Sequence, residues 1–328
     1  MKLTATMVTA ISGIALAACA ANAQDTVTTP EGAVMQTGGD LAYAPGELTE
    51  EQLNGTMRAE FRQNSMNVFR RFPRELTEEM VNFYVNALHL RSLNPIQLTA
   101  TQQMILTGVG SGQVKLSAGQ QGNRLYNLKG GYAGGTGIRF FVLSYPDADV
   151  VSERFVEAGY DAPEFIQRDD GIQQALVKDP AGFDIVILIR EGVQDGSEDG
   201  IGVGIQVSDL EASRSFYRDF VGLDEMQPFN APIMGTTFYP YRHEETSILL
   251  YKMGDDLPAD NGSAGIQYVV GDAPLAAAMA EHRGVAVETP LNKLSGFDLI
   301  TVWLNDPDGV TNYFAQVGPS SRTARGEN

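Results

Sequence analysis

The feature that most constrains the fold is one segment pattern that occurs four times between residues 64 and 317. Each segment has an apolar strand, a helix with one apolar face, and further strands. The helices of the first and third segments match as "FYVNALHL" at 83–90 and "FYRDFVGL" at 216–223. This repetition predicts an α+β fold built from four similar β-α-β-β-β modules.

The second and fourth segments match each other better than they match their neighbours. "GIRFFVLSYPDADVVSERFVEAG" corresponds to "GIQYVVGDAPLAAAMAEHRG". Each reaches its final strand through a turn, "DPAG" at 179–182 and "DPDG" at 306–309, where proline restricts φ and glycine takes the left-handed position. We expect two independently folding domains, residues 64–190 and 201–317, joined by the acidic linker 191–200.

Residues 1–23 have the form of a secretory signal, with Lys2, an apolar run and then small residues. Two processing sites remain open. "LAAC" resembles a bacterial lipobox and predicts lipidation at Cys19, the only cysteine, whereas "ANAQ" predicts ordinary cleavage before Gln24. The protein is therefore expected to be exported by a bacterium, as a periplasmic protein or as a lipoprotein anchored in the outer membrane.

Outside the repeats, residues 24–63 are predicted to form a flexible spacer with a short helix, and residues 318–328 a tail. The chain has 41 acidic and 23 basic residues, and its net charge is −18. This charge repels nucleic acid phosphates and anionic lipid surfaces. Nucleic acid is therefore not expected as a partner, and membrane contact is expected only through the N-terminal lipid.

The helix start "VSDLEASRSFY...VGL" and the "DPDG" turn before the last strand together resemble the vicinal oxygen chelate superfamily. This superfamily includes glyoxalase I, bleomycin-resistance proteins and extradiol dioxygenases, and the resemblance covers about residues 64–317. It implies two glyoxalase-like half-open barrel domains, each made of two modules around a ligand. Enzymes of the superfamily bind a divalent metal through His or Gln on first strands and Glu on last strands.

This chain departs from the superfamily at the metal-ligand positions. Matching the motifs places those positions at Asn67, Gly137, Gly202, Gly265, Val186 and Tyr313. Glycine and valine have no donor atom in the side chain, and neutral asparagine and tyrosine are poor ligands for such ions. No metal and no cofactor is therefore expected.

The cup around the lost metal position is expected to remain as a ligand pocket. Because alternate strand residues share a face, four first-strand side chains are predicted on the concave side: Arg139, Phe141, Gln206 and Gln267. Tyr313 is predicted opposite them on the final strand. This set suits a small, partly apolar organic ligand with an acidic or carbonyl group.

Three functions follow from these observations. The favoured one is a binding module that holds a small organic ligand without a metal. The alternative is an enzyme of the lyase, isomerase or ring-cleaving type, with an unrecognised metal site or with none. The third is a scaffold in the cell envelope. The sequence identifies no catalytic residue and does not specify the oligomeric state.

Overall fold

The computed structural model describes most of the chain from residue 26 onward. The described residues are 26–28, 34–36, 41–99, 102–120, 124–168, 170–195, 200–231, 234–293 and 297–318. The predicted lipidation site Cys19, the alternative cleavage site before Gln24 and the predicted tail beyond Gly318 lie outside them. Within the described part, no helix has the length and apolar character needed to cross a membrane.

The strands and helices follow the predicted repetition. In chain order the strands are β1 Thr26–Thr28, β2 Val34–Gln36, β3 Asn67–Phe72, β4 Arg91–Thr99, β5 Gln102–Val109, β6 Gly112–Ala118, β7 Gly137–Tyr145, β8 Ile166–Gln167, β9 Gln173–Lys178, β10 Asp184–Ile189, β11 Gly202–Gln206, β12 Asp224–Glu225, β13 Phe229–Ala231, β14 Thr236–His243, β15 Thr246–Tyr251, β16 Ala264–Val269, β17 Val287–Lys293, β18 Leu299–Asn305 and β19 Thr311–Val317. The helices are α1 Glu50–Leu53, α2 Thr77–Val81, α3 Ala148–Glu157, α4 Leu210–Ser215 and α5 Ala273–Arg283. Helices α2 and α4 continue through π-helical turns, Asn82–Ala87 and Phe216–Val221.

The four modules of the α+β prediction are present. Module one contains β3–β6 and α2, module two β7–β10 and α3, module three β11–β15 and α4, and module four β16–β19 and α5. Three of the module helices begin at an aspartate, namely Asp147, Asp209 and Asp272, whose side chain accepts a backbone N–H of the first turn. These caps explain why the helices start where they do.

The modules pair in an order that the sequence analysis did not predict. Sheet I has the strand order β1-β2-β17-β18-β19-β16-β3-β6-β5-β4, so it combines modules one and four. Sheet II has the order β12-β14-β15-β11-β7-β10-β9-β8, with β13 on β14, so it combines modules two and three. Each sheet therefore takes one module from each half of the chain, and neither the predicted domain 64–190 nor the predicted domain 201–317 contains a complete sheet.

The segments that cross between the sheets explain this exchange. Residues 119–136 lead from β6 in sheet I to β7 in sheet II, and residues 252–263 lead back from β15 to β16. The two crossovers lie side by side, since the Asn127 N–H donates to Asp260 Oδ2 over 3.0 Å. The predicted linker 191–200 instead joins β10 to β11 within sheet II.

The predicted flexible spacer contains ordered parts. Strands β1 and β2 pair with each other, and β2 adds to β17 where Gln36 pairs with Lys293. The predicted short helix is α1, Glu50–Leu53, with Thr49 as its N-cap and Asn54 as its C-cap. The fully buried Met57 follows it in a short 3₁₀ turn. This segment is therefore packed against the modules.

Candidate functional site

The two faces of each sheet have different contacts, because side chains alternate along a strand. In β3, Val68 belongs to the main core with the helices, whereas Phe69 belongs to a separate cluster with Tyr313 on the opposite face. We call the helix-free face of sheet I the first cup and the helix-free face of sheet II the second cup. The first cup lies between modules one and four.

An aromatic wall lines the first cup. The rings of Phe69 and Tyr313 have centroids 5.8 Å apart, although their strands are separated by β16 and so by roughly 10 Å of sheet. They therefore lean toward each other across β16. The Trp303 ring lies 5.1 Å from the Tyr313 ring. These three aromatic side chains retain 7–8% of their exposure, so the wall is nearly closed.

A polar cluster lies beside this wall. The Lys115 ammonium on β6 donates to Gln267 Oε1 on β16. The same oxygen accepts the Asn67 side-chain N–H over 2.8 Å, and Gln63 donates to Asn67 Oδ1 over 3.1 Å. The cluster therefore joins side chains of modules one and four at the centre of sheet I.

Two cations lie close to the Phe69 ring. Its centroid lies 5.4 Å from the Arg71 guanidinium carbon and 5.6 Å from Lys115 Nζ, distances at which a ring attracts a cation. Arg71 also donates to the Gly262 carbonyl over 3.3 Å. The first cup thus has two positive charges close to Phe69.

Lys115 differs from an ordinary surface lysine. Desolvation in the cup lowers the pKa of Lys115 to about 8, although its side chain stays partly exposed. Among the described residues, no carboxylate forms an ion pair with this ammonium. Lys115 is therefore a desolvated amine without an anionic partner in that part of the chain.

The residues of the first cup do not fit a divalent metal. The cluster offers a lysine and two neutral amides, and Tyr313 stands at the position expected for the metal-binding Glu. A protonated amine has no lone pair to donate and repels a metal ion. Across the described ranges, no group of three or more His, Cys, Asp or Glu side chains has a metal-binding arrangement.

Side chains of the protein fill the second cup around its expected ligand positions. A Cβ atom on Gly204 would overlap the ring of Phe140, and one on Gly202 would lie 3.1 Å from Val142 Cβ. The Phe140 ring also packs against Phe238, with centroids 5.9 Å apart. Val186 is 4% exposed and belongs to the same cluster.

Gly137 is a glycine for a structural reason. Its φ is +99°, and a Cβ atom there would overlap the Asp260 carbonyl oxygen. The adjacent Thr136 forms a bridge with Ala259. A side chain at Gly137 would therefore separate the two crossover segments.

The predicted orientation of Arg139 and Phe141 is wrong, because β7 contains a bulge. Ile138 pairs with Ile205 and Phe140 pairs with Gly204, so the residue between them has no partner on β11. An extra residue in one strand shifts the alternation of side chains by one position. Phe140 takes the second-cup face, and Phe141 turns into the main core.

Arg139 has a structural role in this arrangement. Its guanidinium donates to the Gly131 carbonyl over 2.7 and 3.0 Å and to the Asn127 carbonyl over 2.8 Å. The side chain is buried and lies 3.8 Å from Asp260. Arg139 therefore fastens the first crossover to β7 and does not line a cup.

The other predicted pocket residues are divided between the two sheets. Gln267 and Tyr313 lie together in the first cup, in register on β16 and β19. Gln206 lies in register with Tyr251 in sheet II, is fully buried, and its amide oxygen and nitrogen lack partners among the described residues. The sequence analysis missed Lys115, although a lone lysine inside the apolar strand "VKL" was an available signal.

Comparison with known proteins identifies related folds. Residues 202–314 match the model of the Glyoxalase/Bleomycin resistance protein/Dioxygenase superfamily. No curated protein sequence matches the chain.

Among solved structures, glyoxalase I from Zea mays is 16% identical with a TM-score of 0.60, and the match covers 77% of this chain and 92% of that chain. A mutant of that enzyme, also 16% identical, has a TM-score of 0.63, covering 79% and 94%. A putative dioxygenase from Bacillus subtilis is 14% identical with a TM-score of 0.55, covering 78% and 86%. At such identities the likeness to these structures concerns the fold alone.

Proposed function

Residues 202–314 belong to the glyoxalase, bleomycin resistance protein and dioxygenase superfamily, and from this premise we propose that the protein binds a small organic ligand in the first cup without a metal. The observation that carries the proposal is the Lys115 ammonium, which lies in that cup without a carboxylate partner among the described residues. The sequence resemblance implies a divalent metal that faces the ligand, and in this proposal the Lys115 ammonium supplies the positive charge instead.

Desolvated polar groups of the cup favour a ligand with oxygen acceptors. Removing an ammonium from water without a counter-ion costs free energy. A carboxylate or carbonyl oxygen of the ligand reduces that cost. The indole N–H of Trp303, in the same wall, is buried and has no acceptor among the described residues. Two donors beside Phe69 and Tyr313 suit a small, partly apolar ligand with an acidic or carbonyl group.

An enzyme without a metal is the second candidate, and the pKa of Lys115 favours it. An amine with a pKa of about 8 is partly neutral near physiological pH and is able to accept a proton from a substrate. Turnover of a carbonyl substrate that Lys115→Met abolishes would support this candidate. A scaffold role, the third candidate, has no need of a desolvated lysine.

Export is part of the proposed function. The signal at residues 1–23 leads us to propose a periplasmic protein or a lipoprotein modified at Cys19. The mass of the mature N-terminus distinguishes a lipidated Cys19 from a free Gln24.

Native mass spectrometry of the mature protein, purified without a chelator, tests the binding proposal. We expect a small-molecule adduct that survives EDTA. Lys115→Met should weaken binding of the adduct at least about tenfold, because it removes the donor and its charge. Lys252→Met is the matched control, since Lys252 pairs with the exposed Asp255 outside the first cup. A stoichiometric divalent ion whose removal releases the adduct would contradict the proposal.

A further inference from the structure

We propose that the first cup captures aldehydes or ketones covalently, as an imine on Lys115. The inference rests on the proposed function, since it names the chemical class of the ligand and the bond that holds it. It also goes beyond that function, because a binding site becomes a site of reversible covalent chemistry.

The contacts of Lys115 suit a nucleophile. Its single hydrogen-bond partner among the described residues is Gln267 Oε1, an acceptor that orients an amine without fixing a proton on it. A carboxylate partner would instead stabilise the ammonium form. The nearby cation is Arg71, whose guanidinium also lies close to the Phe69 ring. Nothing in this arrangement holds the amine in its charged state.

Burial in the cup increases the amount of reactive amine. With a pKa of about 8, about a tenth of the Lys115 side chains are neutral at pH 7, against about one in 2,500 for an ordinary lysine. Desolvation in an apolar pocket is one of the ways in which proteins activate lysine for attack on a carbonyl. Lys115 therefore has a few hundredfold more neutral amine than a solvated lysine.

The proposed reaction balances without another reactant. The nitrogen lone pair forms a bond to the carbonyl carbon, and the π electrons of the carbonyl move to its oxygen. After proton transfer from nitrogen to oxygen, the adduct loses water and a carbon–nitrogen double bond remains. The wall of Phe69, Tyr313 and Trp303 packs against the carbonyl substituent and limits the access of water that would hydrolyse the imine.

Other lysines of the chain serve as internal references. Lys178 is bound to the buried Asp184, and Lys252 forms an ion pair with Asp255 that raises its pKa. Both have a carboxylate partner, which Lys115 lacks among the described residues. A carbonyl reagent that selects for neutral amines should therefore distinguish them from Lys115.

Reductive alkylation of the mature full-length protein tests the inference. The protein is incubated near neutral pH with sodium cyanoborohydride and either formaldehyde or benzaldehyde, and the labelling rate of each lysine is followed by peptide mass spectrometry. We expect Lys115 to be labelled at least about tenfold faster than Lys252. Lys115→Arg, which keeps the charge, should lose the fast site and keep the unfolding transition of the wild type.

Two results separate this inference from the proposed function. If Lys115 reacts no faster than Lys252 with both aldehydes in folded protein, the imine inference is overturned. A ligand that co-purifies, depends on Lys115 and leaves on denaturation without being trapped by borohydride would retain the proposed function alone. A borohydride-dependent mass increase on Lys115 in protein taken from cells would support both.

Discussion

Two aspartates in equivalent turns have different electrostatic surroundings. Asp179 precedes β10 and pairs with the buried Arg70 at 2.7 Å, and the Tyr84 hydroxyl donates to it over 3.2 Å. Asp306 precedes β19 and accepts the Tyr217 hydroxyl over 2.9 Å, but no cation pairs with it in the part of the chain that the structure describes. Burial therefore raises the pKa of Asp306 to about 7.

Asp306 should make the stability of the protein decrease as the pH rises. Its pKa is raised from 3.8 in the unfolded chain to about 7 in the folded protein, so the folded state favours the protonated acid. This contribution to stability is fully present below about pH 4 and is lost as the pH rises through about 7. Between about pH 5 and pH 7.5, the wild type should lose on the order of 2–3 kcal/mol relative to Asp306→Asn, which cannot ionise.

Urea unfolding followed by circular dichroism at the two pH values measures this difference. The comparison is within each protein, so a constant cost of the substitution cancels. Parallel stability profiles for the wild type and Asp306→Asn would show that Asp306 remains ionised when buried. Its accepted backbone bonds from Asp308 and Val310 would then outweigh desolvation.

At the scale of elements, the paired strands β7 and β11 fill the second cup with a side chain of the protein itself. Phe140 takes the second-cup face because of the bulge at Arg139, and Gly204 on β11 leaves room for its ring. Phe140 and Gly204 are complementary in volume, since the Phe140 ring fills the space that a side chain at Gly204 would take. We infer that the second cup contributes packing while the first cup carries the polar site.

Gly204→Ala should destabilise the protein by about 1–3 kcal/mol, because its new Cβ overlaps the Phe140 ring and forces the tightly packed strands apart. The matched control is Gly254→Ala, whose new Cβ makes only ordinary contacts with Leu257 at 3.5 Å or more. Thermal and urea unfolding measure both. Equal stability of the two variants would mean that the ring moves freely and that the second cup has space for a ligand.

At the scale of the whole molecule, the two halves of the chain are interleaved. Sheets join module one to module four and module two to module three. Successive modules are joined by packing of their helical segments, where the Phe83 and Phe155 rings lie 5.7 Å apart. The segment before module one also reaches the second half, since the Phe61 ring stacks on Tyr268 at 5.6 Å. Neither half contains a complete sheet.

Residues 41–190 and 201–318, expressed separately, should therefore fail to fold, because each half leaves the first strand of both its modules without one of its two neighbouring strands. Co-expression should restore a one-to-one complex, and limited cleavage within 191–200 of the intact protein should leave the two fragments associated. Size-exclusion chromatography and denaturant unfolding measure these outcomes. A cooperative unfolding transition for either fragment alone would show that the sequence-based domain division was correct for folding.

The sequence by itself determined the local parts of this protein. Four modules, the helix starts at Asp147 and Asp209, and the Asp-Pro turns all depend on residues within a few positions of one another, so their patterns are visible in the chain. The absence of metal-binding side chains at Gly202 and Val186 was visible in the same way.

Only the tertiary structure decided which modules pair and where the polar site lies. The Gln267 side chain bonds Lys115 and Asn67, which lie 152 and 200 residues away along the chain. These contacts exist because modules one and four share a sheet, in which β3 pairs with the distant strand β16. The bulge that reverses Phe141 also depends on a partner strand. The pKa of Lys115 follows from burial in the assembled cup, and burial is a property of the packed molecule that no local pattern of residues specifies.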